Sequence, residues 1–127
     1  MNIIITSASR KVTLVHAFQD ALDHEGGGNV IAIDASQHSS ALYEADAYEI
    51  APHGLGDDFV KFVQDVVNKY NVSAIIPTRD EELPFFASKR DEFNESGVKV
   101  MVPSRRSVEI CEDKLRFIKH CATNGLQ

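Results

Sequence analysis

The chain alternates short apolar runs with longer stretches in which apolar positions recur every three or four residues. Ile3 to Thr6 reads as a strand buried on both faces. From Arg10 to about His24, Val15, Phe18 and Leu22 recur at helical spacing, and the run "EGGG" at Glu25 to Gly28 ends that helix. "NVIAID" predicts a second buried strand ending at Asp34, "SSALYEAD" a short helix, and "AYEIAP" a short strand stopped by Pro52. Asp57 to Tyr70 is the clearest helix: Asp57 and Asp58 suit its N-terminus, and Phe59, Val63, Val66, Val67 and Tyr70 form its apolar stripe. "VSAIIP" is the next buried strand. Thr78 and Glu81 have capping-box spacing and predict a helix opening there and running to about Asn94. "GVKVMVP" predicts another strand, Ser104 caps a short helix, and Asp113 starts a last one that runs to "TNG" at Thr123 to Gly125.

Repeated strand, helix, strand units with short connections imply an α/β, three-layer, Rossmann-like domain. The expected sheet is mostly parallel, of about five strands, with helices on both faces. In such sheets ligands sit outside the carboxyl ends of the strands. The chain from 1 to 127 reads as one domain, with no linker, low-complexity tract or internal repeat. No strand follows the helix-ending Gly125, which suggests the end of a domain rather than of a protein.

Composition narrows the function classes. The 127 residues suffice for a core without disulfides or a metal. A net charge of -6 argues against nonspecific nucleic-acid or anionic-membrane binding, while leaving room for a local cationic pocket. No signal peptide and no run of membrane-spanning length is present, so no membrane partner is expected. Cys111 and Cys121 are ten residues apart in a helical pattern, roughly 15 Å on a straight helix and too far for a disulfide. They read as reduced core thiols, which favours a cytoplasmic location. The histidines show no metal spacing, and no P-loop, GxSxG elbow or HExxH motif is present.

Four segments carry candidate chemistry. "TSASRK", Thr6 to Lys11, leads from the central strand into a helix, where unpaired backbone N–H groups make an anion site. Ser7 and Ser9 can cap that helix or donate to a phosphate or carboxylate. Arg10 and Lys11 sit in a first turn that disfavours cations, which makes sense if an anion binds nearby; a serine-capped helix with solvated cations is the other reading. The loop lacks the GxGxxG glycines, so Asp34 reads as a loop-fixing acid before a ribose ligand. "PTRDEELP", Pro77 to Pro84, places Asp80, Glu81 and Glu82 in a helix's first turn, where acids are stabilised by the dipole. Alternatively Asp80 or Glu82 faces a cleft and binds an amine, and Arg79 pairs with an anion. In "CEDKLRF", Cys111 to Phe117, Lys114 and Arg116 read as surface cations on composition alone.

Taken together, "ITSASRKVTLVHAF", "VIAIDAS", "ALYEAD", "IIPTRDEELP", "VMVPS" and "ICEDKLRFIKHCATNGL" resemble the N-terminal, pre-ATP-grasp domain of ATP-grasp ligases, and most of all short-form carbamoyl-phosphate-synthase-like proteins. The likeness covers the whole chain in segment order, and its motifs are specific in combination. It implies an enzyme that activates a carboxylate with ATP to an acyl phosphate, which an amine then attacks, with magnesium holding the phosphates. ATP and Mg2+ would be bound mostly by two later subdomains, so this chain would lack downstream ATP-grasp domains, hold no cofactor of its own and be inactive alone. By the same resemblance Lys114 reaches the nucleotide, and Ser7, Ser9, Arg10, Asp80 and Glu82 face the acceptor substrate. No catalytic residue and no metal ligand is carried over. The family often has glycine where Ser9 stands, and a side chain there narrows the backbone's approach to a ligand. Expected partners are a small-molecule carboxylate and amine, the downstream domains, and, through an apolar face those domains would cover, a second copy.

Two other classes compete. One is a stand-alone Rossmann-type nucleotide-binding or regulatory module, motivated by Asp34 and the first loop. The other, a receiver-like signalling domain, needs clustered acids after the first and third strands, and Thr6 to Arg10 contains none.

Overall fold

The structure, a computed structural model, describes residues 1–126. Its elements are β1 (Asn2–Ile5), α1 (Val12–His24), β2 (Val30–Asp34), a 3-10 helix (Ser40–Glu44), β3 (Ala47–Ile50), α2 (Asp57–Tyr70), β4 (Val72–Ile76), α3 (Glu82–Glu95), β5 (Lys99–Val100), α4 (Arg105–Glu112) and α5 (Lys114–Thr123). The five strands are all parallel in the order β3-β2-β1-β4-β5. The α/β, Rossmann-like class expected from the apolar runs is what forms.

The strand order explains the two layers of helices. From the central strand β1 the chain steps outward to β2 and β3, then crosses back to β4 and on to β5. Right-handed crossovers in opposite directions put their helices on opposite faces. On one face Ile4, Ile31, Ile33, Ile75 and Val100 pack against Phe59, Val63 and Val66 of α2 and Phe86 and Phe93 of α3. On the other, Ile3, Ile5, Val30, Ala32 and Ala74 pack against Val15 and Leu22 of α1 and Ala41 and Leu42 of the 3-10 helix. Ile3, Ile4 and Ile5 alternate between these cores because successive strand residues point to opposite faces. Burying each such side chain contributes about 1.5–3 kcal/mol, which is why a strand at the centre reads as an unbroken apolar run.

Gly28 has a packing reason. A Cβ there would lie 1.7 Å from the Met1 carbonyl oxygen, so only glycine lets the N-terminus pass beside the turn into β2. Its neighbour Gly27 supplies its N–H to the Leu22 carbonyl at 2.8 Å, closing α1.

Several local expectations are corrected. α1 starts at Val12, not Arg10, because Ser7 and Ser9 lie in left-handed backbone (φ 46° and 48°) and Lys11 is its N-cap with no side-chain capping bond. The segment after Ser39 is a 3-10 helix, and β5 is only two residues long. Thr78 and Glu81 form no capping box: α3 begins at Glu82, and the Thr78 hydroxyl is engaged elsewhere. Cys111 is exposed and Cys121 half-buried, so neither is a core thiol; they lie on two successive helices, and Asp113 starts the second as expected, capping α5 through the N–H groups of Leu115 and Arg116. Ser104 caps α4 as expected, accepting from the Ser107 N–H. Among the described residues no helix is long and apolar enough to cross a membrane.

Candidate functional site

Strand order reverses between β1 and β4, and the segments leaving the carboxyl ends of β1, β2, β3 and β4 border a cleft. The loop after β1 is held from three sides. Its first N–H, at Thr6, donates to the Ile76 carbonyl of β4 at 3.1 Å; Ala8 N–H donates to the Ile33 carbonyl of β2 at 3.2 Å. Ser9 N–H donates to the Asp34 carboxylate at 2.9 Å, and the other Asp34 oxygen accepts from Ser36 N–H at 2.8 Å. Both oxygens of Asp34 thus fix loops. Of the loop's N–H groups, those of Ser7 and Arg10 have no hydrogen bond among the described residues.

Ser7 is the junction. Its carbonyl accepts from the Lys11 ammonium at 3.0 Å and from the Thr78 hydroxyl at 3.0 Å, and the same Thr78 hydroxyl lies 2.6 Å from the Thr6 carbonyl. A cation at the start of α1 therefore answers a backbone carbonyl. The Ser7 hydroxyl donates to one Glu82 oxygen at 2.7 Å and the Thr6 hydroxyl to the other at 2.7 Å. Glu82 is 4% exposed and Thr6 fully buried. The first residue of α3 is thereby tied to the end of the central strand, with its charge answered by two hydroxyls at a helix N-terminus.

Above this junction lies a cleft of about 290 Å³, lined by Ser7, Asp34, His53, Arg79, Glu81 and Glu82 over an apolar floor that includes Ile33, Ala51 and Phe59. Arg79 Nε donates to the Glu81 carboxylate at 3.1 Å. That hydrogen bond, with smaller contributions from the charges of Glu82 and Asp34, raises the Arg79 pKa above its ordinary value, and Arg79 in turn holds Glu81 below the usual carboxylate range. One guanidinium among three carboxylates suits a ligand that brings both an anionic and a cationic or hydrogen-bonding end.

The predicted residues divide. Ser7 and Glu82 meet in this cleft. Ser9 is half-buried and Arg10 exposed, and neither lines it, so the structure does not bring them together with Ser7 and Glu82 in one concavity. Asp80 lines a separate cavity of about 510 Å³, between the start of α3 and the helices α4 and α5, and Lys114 lines it too. Glu81 belongs to both cavities and forms the wall between them. His53 entered the sequence reading only among histidines without metal spacing, because the loop after β3 carries no motif, and Arg79 entered only as an alternative. Among the described residues no group of three or more His, Cys, Asp or Glu side chains is placed to hold a metal ion.

Residues 3–101 match the family described as PylC-like, N-terminal domain. No curated protein matches the chain by sequence. Among solved structures it is similar to N5-carboxyaminoimidazole ribonucleotide synthetase from Thermotoga maritima, at 20% identity and TM-score 0.61, over 98% of this chain and 31% of that one. It is also similar to glycinamide-RNase-transformylase T from Mycobacterium tuberculosis, at 15% identity and TM-score 0.67, over 96% of this chain and 34% of that one. A third is the complete multifunctional pyruvate carboxylase from Rhizobium etli, at 18% identity and TM-score 0.65, over 99% of this chain and 12% of that one. At these identities the likeness is one of fold, and the chain spans about a third or less of the structures it matches.

Proposed function

The chain belongs to the PylC-like, N-terminal domain family, a pre-ATP-grasp domain, and on that premise we propose that it is the substrate-side domain of an ATP-dependent carboxylate–amine ligase, carbamoyl-phosphate-synthase-like in its overall plan. The observation that carries this reading is the cleft at the β1/β4 switch point, where Arg79 and Ser7 stand beside Asp34, Glu81 and Glu82. Arg79 would hold the carboxylate of the acceptor, and the acids its amine. Catalysis would come mainly from orientation, since fixing the amine against an activated carboxylate removes the entropy of their encounter.

ATP and magnesium, bound mostly by further subdomains of a longer chain, would supply the phosphoryl group that makes the carboxylate an acyl phosphate. Lys114 offers a phosphate one cation, opposed by Asp80, Glu81 and Glu112 around the same cavity, which would leave most of the phosphate contacts to those subdomains. The exposed apolar side chains of α5, Leu115, Phe117 and Ile118, are where this domain would meet those subdomains or, without them, a second copy.

The test is an ADP-release assay on a protein in which this domain continues into ATP-grasp subdomains, run against panels of small carboxylates and amines. Arg79→Ala and Ser7→Ala should raise KM for the acceptor by about tenfold or more with KM for ATP unchanged. A selective rise in KM for ATP instead would move the nucleotide site into this cleft and sink the proposal.

A further inference from the structure

At the opposite edge of the sheet from β3, nothing pairs with the outer side of β5 among the described residues. Lys99 lies opposite Ala74 and Val100 opposite Ile75, and Met101 N–H donates to the Ile75 carbonyl at 2.9 Å. In a parallel ladder alternate residues serve alternate neighbours. Lys99 and Met101 therefore face β4, and Val98 and Val100 turn their backbone groups outward. Two of those four groups are used within the chain: Val98 N–H donates to the Phe93 carbonyl at 2.9 Å, and the Val100 carbonyl accepts from Val102 N–H at 3.0 Å. The Val98 carbonyl and the Val100 N–H remain. A residue placed opposite Lys99 on an added parallel strand would use both, donating to the first and accepting from the second. An antiparallel strand with a residue opposite Lys99 in a non-hydrogen-bonded pair uses the same two groups through that residue's two neighbours, so the edge admits a strand of either direction.

The edge also has a walled and charged surround. A groove of about 640 Å³ runs between β5 and the C-terminal half of α3; Arg90 and Lys99 line it, and no carboxylate does. Neither cation has an ion-pair partner among the described residues. In a chain of net charge -6, a groove whose only charges are positive runs against the surrounding field. Val98 and Val100 bury their side chains in the core shared with α3, so Lys99 between them points to the other face of the sheet. Arg90 lies on the α3 side. A lysine on an edge strand repels indiscriminate pairing; an acidic strand is the partner that repulsion admits.

We propose that this edge is a docking site for an extended acidic segment of a partner protein, which adds as a strand beside β5 with adjacent carboxylates on Lys99 and Arg90. Main-chain bonds would supply the alignment and the two cations the selectivity. The inference does not depend on the ligase reading.

The experiment titrates the blocked peptide acetyl-Ser-Val-Glu-Glu-Val-Ser-amide into the isotope-labelled chain and follows backbone amide resonances. The Val100 and Lys99 N–H signals are expected to shift, and the Val100 amide to exchange more slowly. The same peptide with lysine at both glutamate positions should leave them in place. Reversing both cations (Arg90→Glu with Lys99→Glu) should invert the preference by about tenfold or more, as expected when like charges face each other. An unmoved Val100 signal at about 1 mM peptide, equal responses to both peptides, or shifts confined to the cleft at Arg79 would each overturn it.

Discussion

The Ser7 hydroxyl donates to the Glu82 carboxylate at 2.7 Å, joining residues 75 apart in sequence, and the Thr6 hydroxyl fills the other oxygen. Removing the acceptor strands a fully buried hydroxyl. Glu82→Ala should therefore cost about 2–3 kcal/mol in a urea titration, whereas Glu82→Gln, which can still accept from one hydroxyl and donate to the other, should cost about 1 kcal/mol or less. If the glutamine variant is as unstable as the alanine one, the charge rather than the hydrogen bonds holds the junction.

Ser7 and Ser9 share the left-handed backbone but should respond in opposite directions to glycine. At Ser9 the contacts run through the backbone, so Ser9→Gly relieves conformational strain and should stabilise by about 0.5 kcal/mol. At Ser7 the same relief is outweighed by the lost bond to a carboxylate, and Ser7→Gly should destabilise by about 1 kcal/mol. Paired thermal or urea unfolding of the two variants decides it.

Acid should weaken the tie between β3 and α2. The hydrogen bond from the Lys69 ammonium at 2.6 Å, with a further one from the Tyr70 hydroxyl at 2.8 Å, lowers the Glu49 pKa below its ordinary value of 4.5. A depressed carboxylate contributes stability that is present above the unfolded value and lost as pH falls through the folded one. The raised pKa of Lys69 works the other way, its contribution holding below its ordinary value of 10.5 and fading above it. Melts taken from about pH 6 down to about pH 3 should show a larger fall in Tm for the natural chain than for Glu49→Gln. Parallel curves would remove this pair from the acid response.

Arg79→Ala should separate binding from stability. Its partner Glu81 is also on the surface, with side-chain exposures of 56% and 68%, and such pairs add little to folding. An unchanged unfolding midpoint together with weakened acceptor binding is the expected result. A large drop in midpoint would make Arg79 structural.

Asp113 caps a helix that buries nothing: α5 has no buried residue, and the cap is made by one carboxylate oxygen accepting from Leu115 and Arg116. Asp113→Ala should therefore speed amide exchange across the first turns of α5 while barely moving the global urea midpoint. A global loss of about 1 kcal/mol or more would show α5 to be coupled to the core.

Much of the architecture was legible in the amino-acid order. α2 was bounded at Asp57 and Tyr70 because its acids, its stripe and its ending all lie within one stretch. The inner strands β1, β2 and β4 declared themselves as apolar runs because both faces of a central parallel sheet are covered. The polar loops were harder. Thr78 and Glu81 have capping-box spacing, but the Thr78 hydroxyl finds the carbonyls of Thr6 and Ser7 instead, because β4 lies beside β1. Glu82 could be read as a first-turn acid, and nothing near it in sequence announces its hydroxyl partners.

Periodicity by itself determined the element types, the class of sheet and the two buried faces, and the combined motifs pointed to the family, since these depend on which positions leave water and on order along the chain. Only the tertiary structure decided that Ser7 joins Glu82 while Ser9 and Arg10 do not line the cleft, that Asp80 falls in with Lys114 on the far side of Glu81, and that β5 keeps an open edge. Hydrophobic burial is non-directional and can be read from a run of side chains. A hydrogen bond must be met within about 3 Å and at a fixed angle, and here the groups that meet it come from segments made neighbours only by the reversal of strand order at β1.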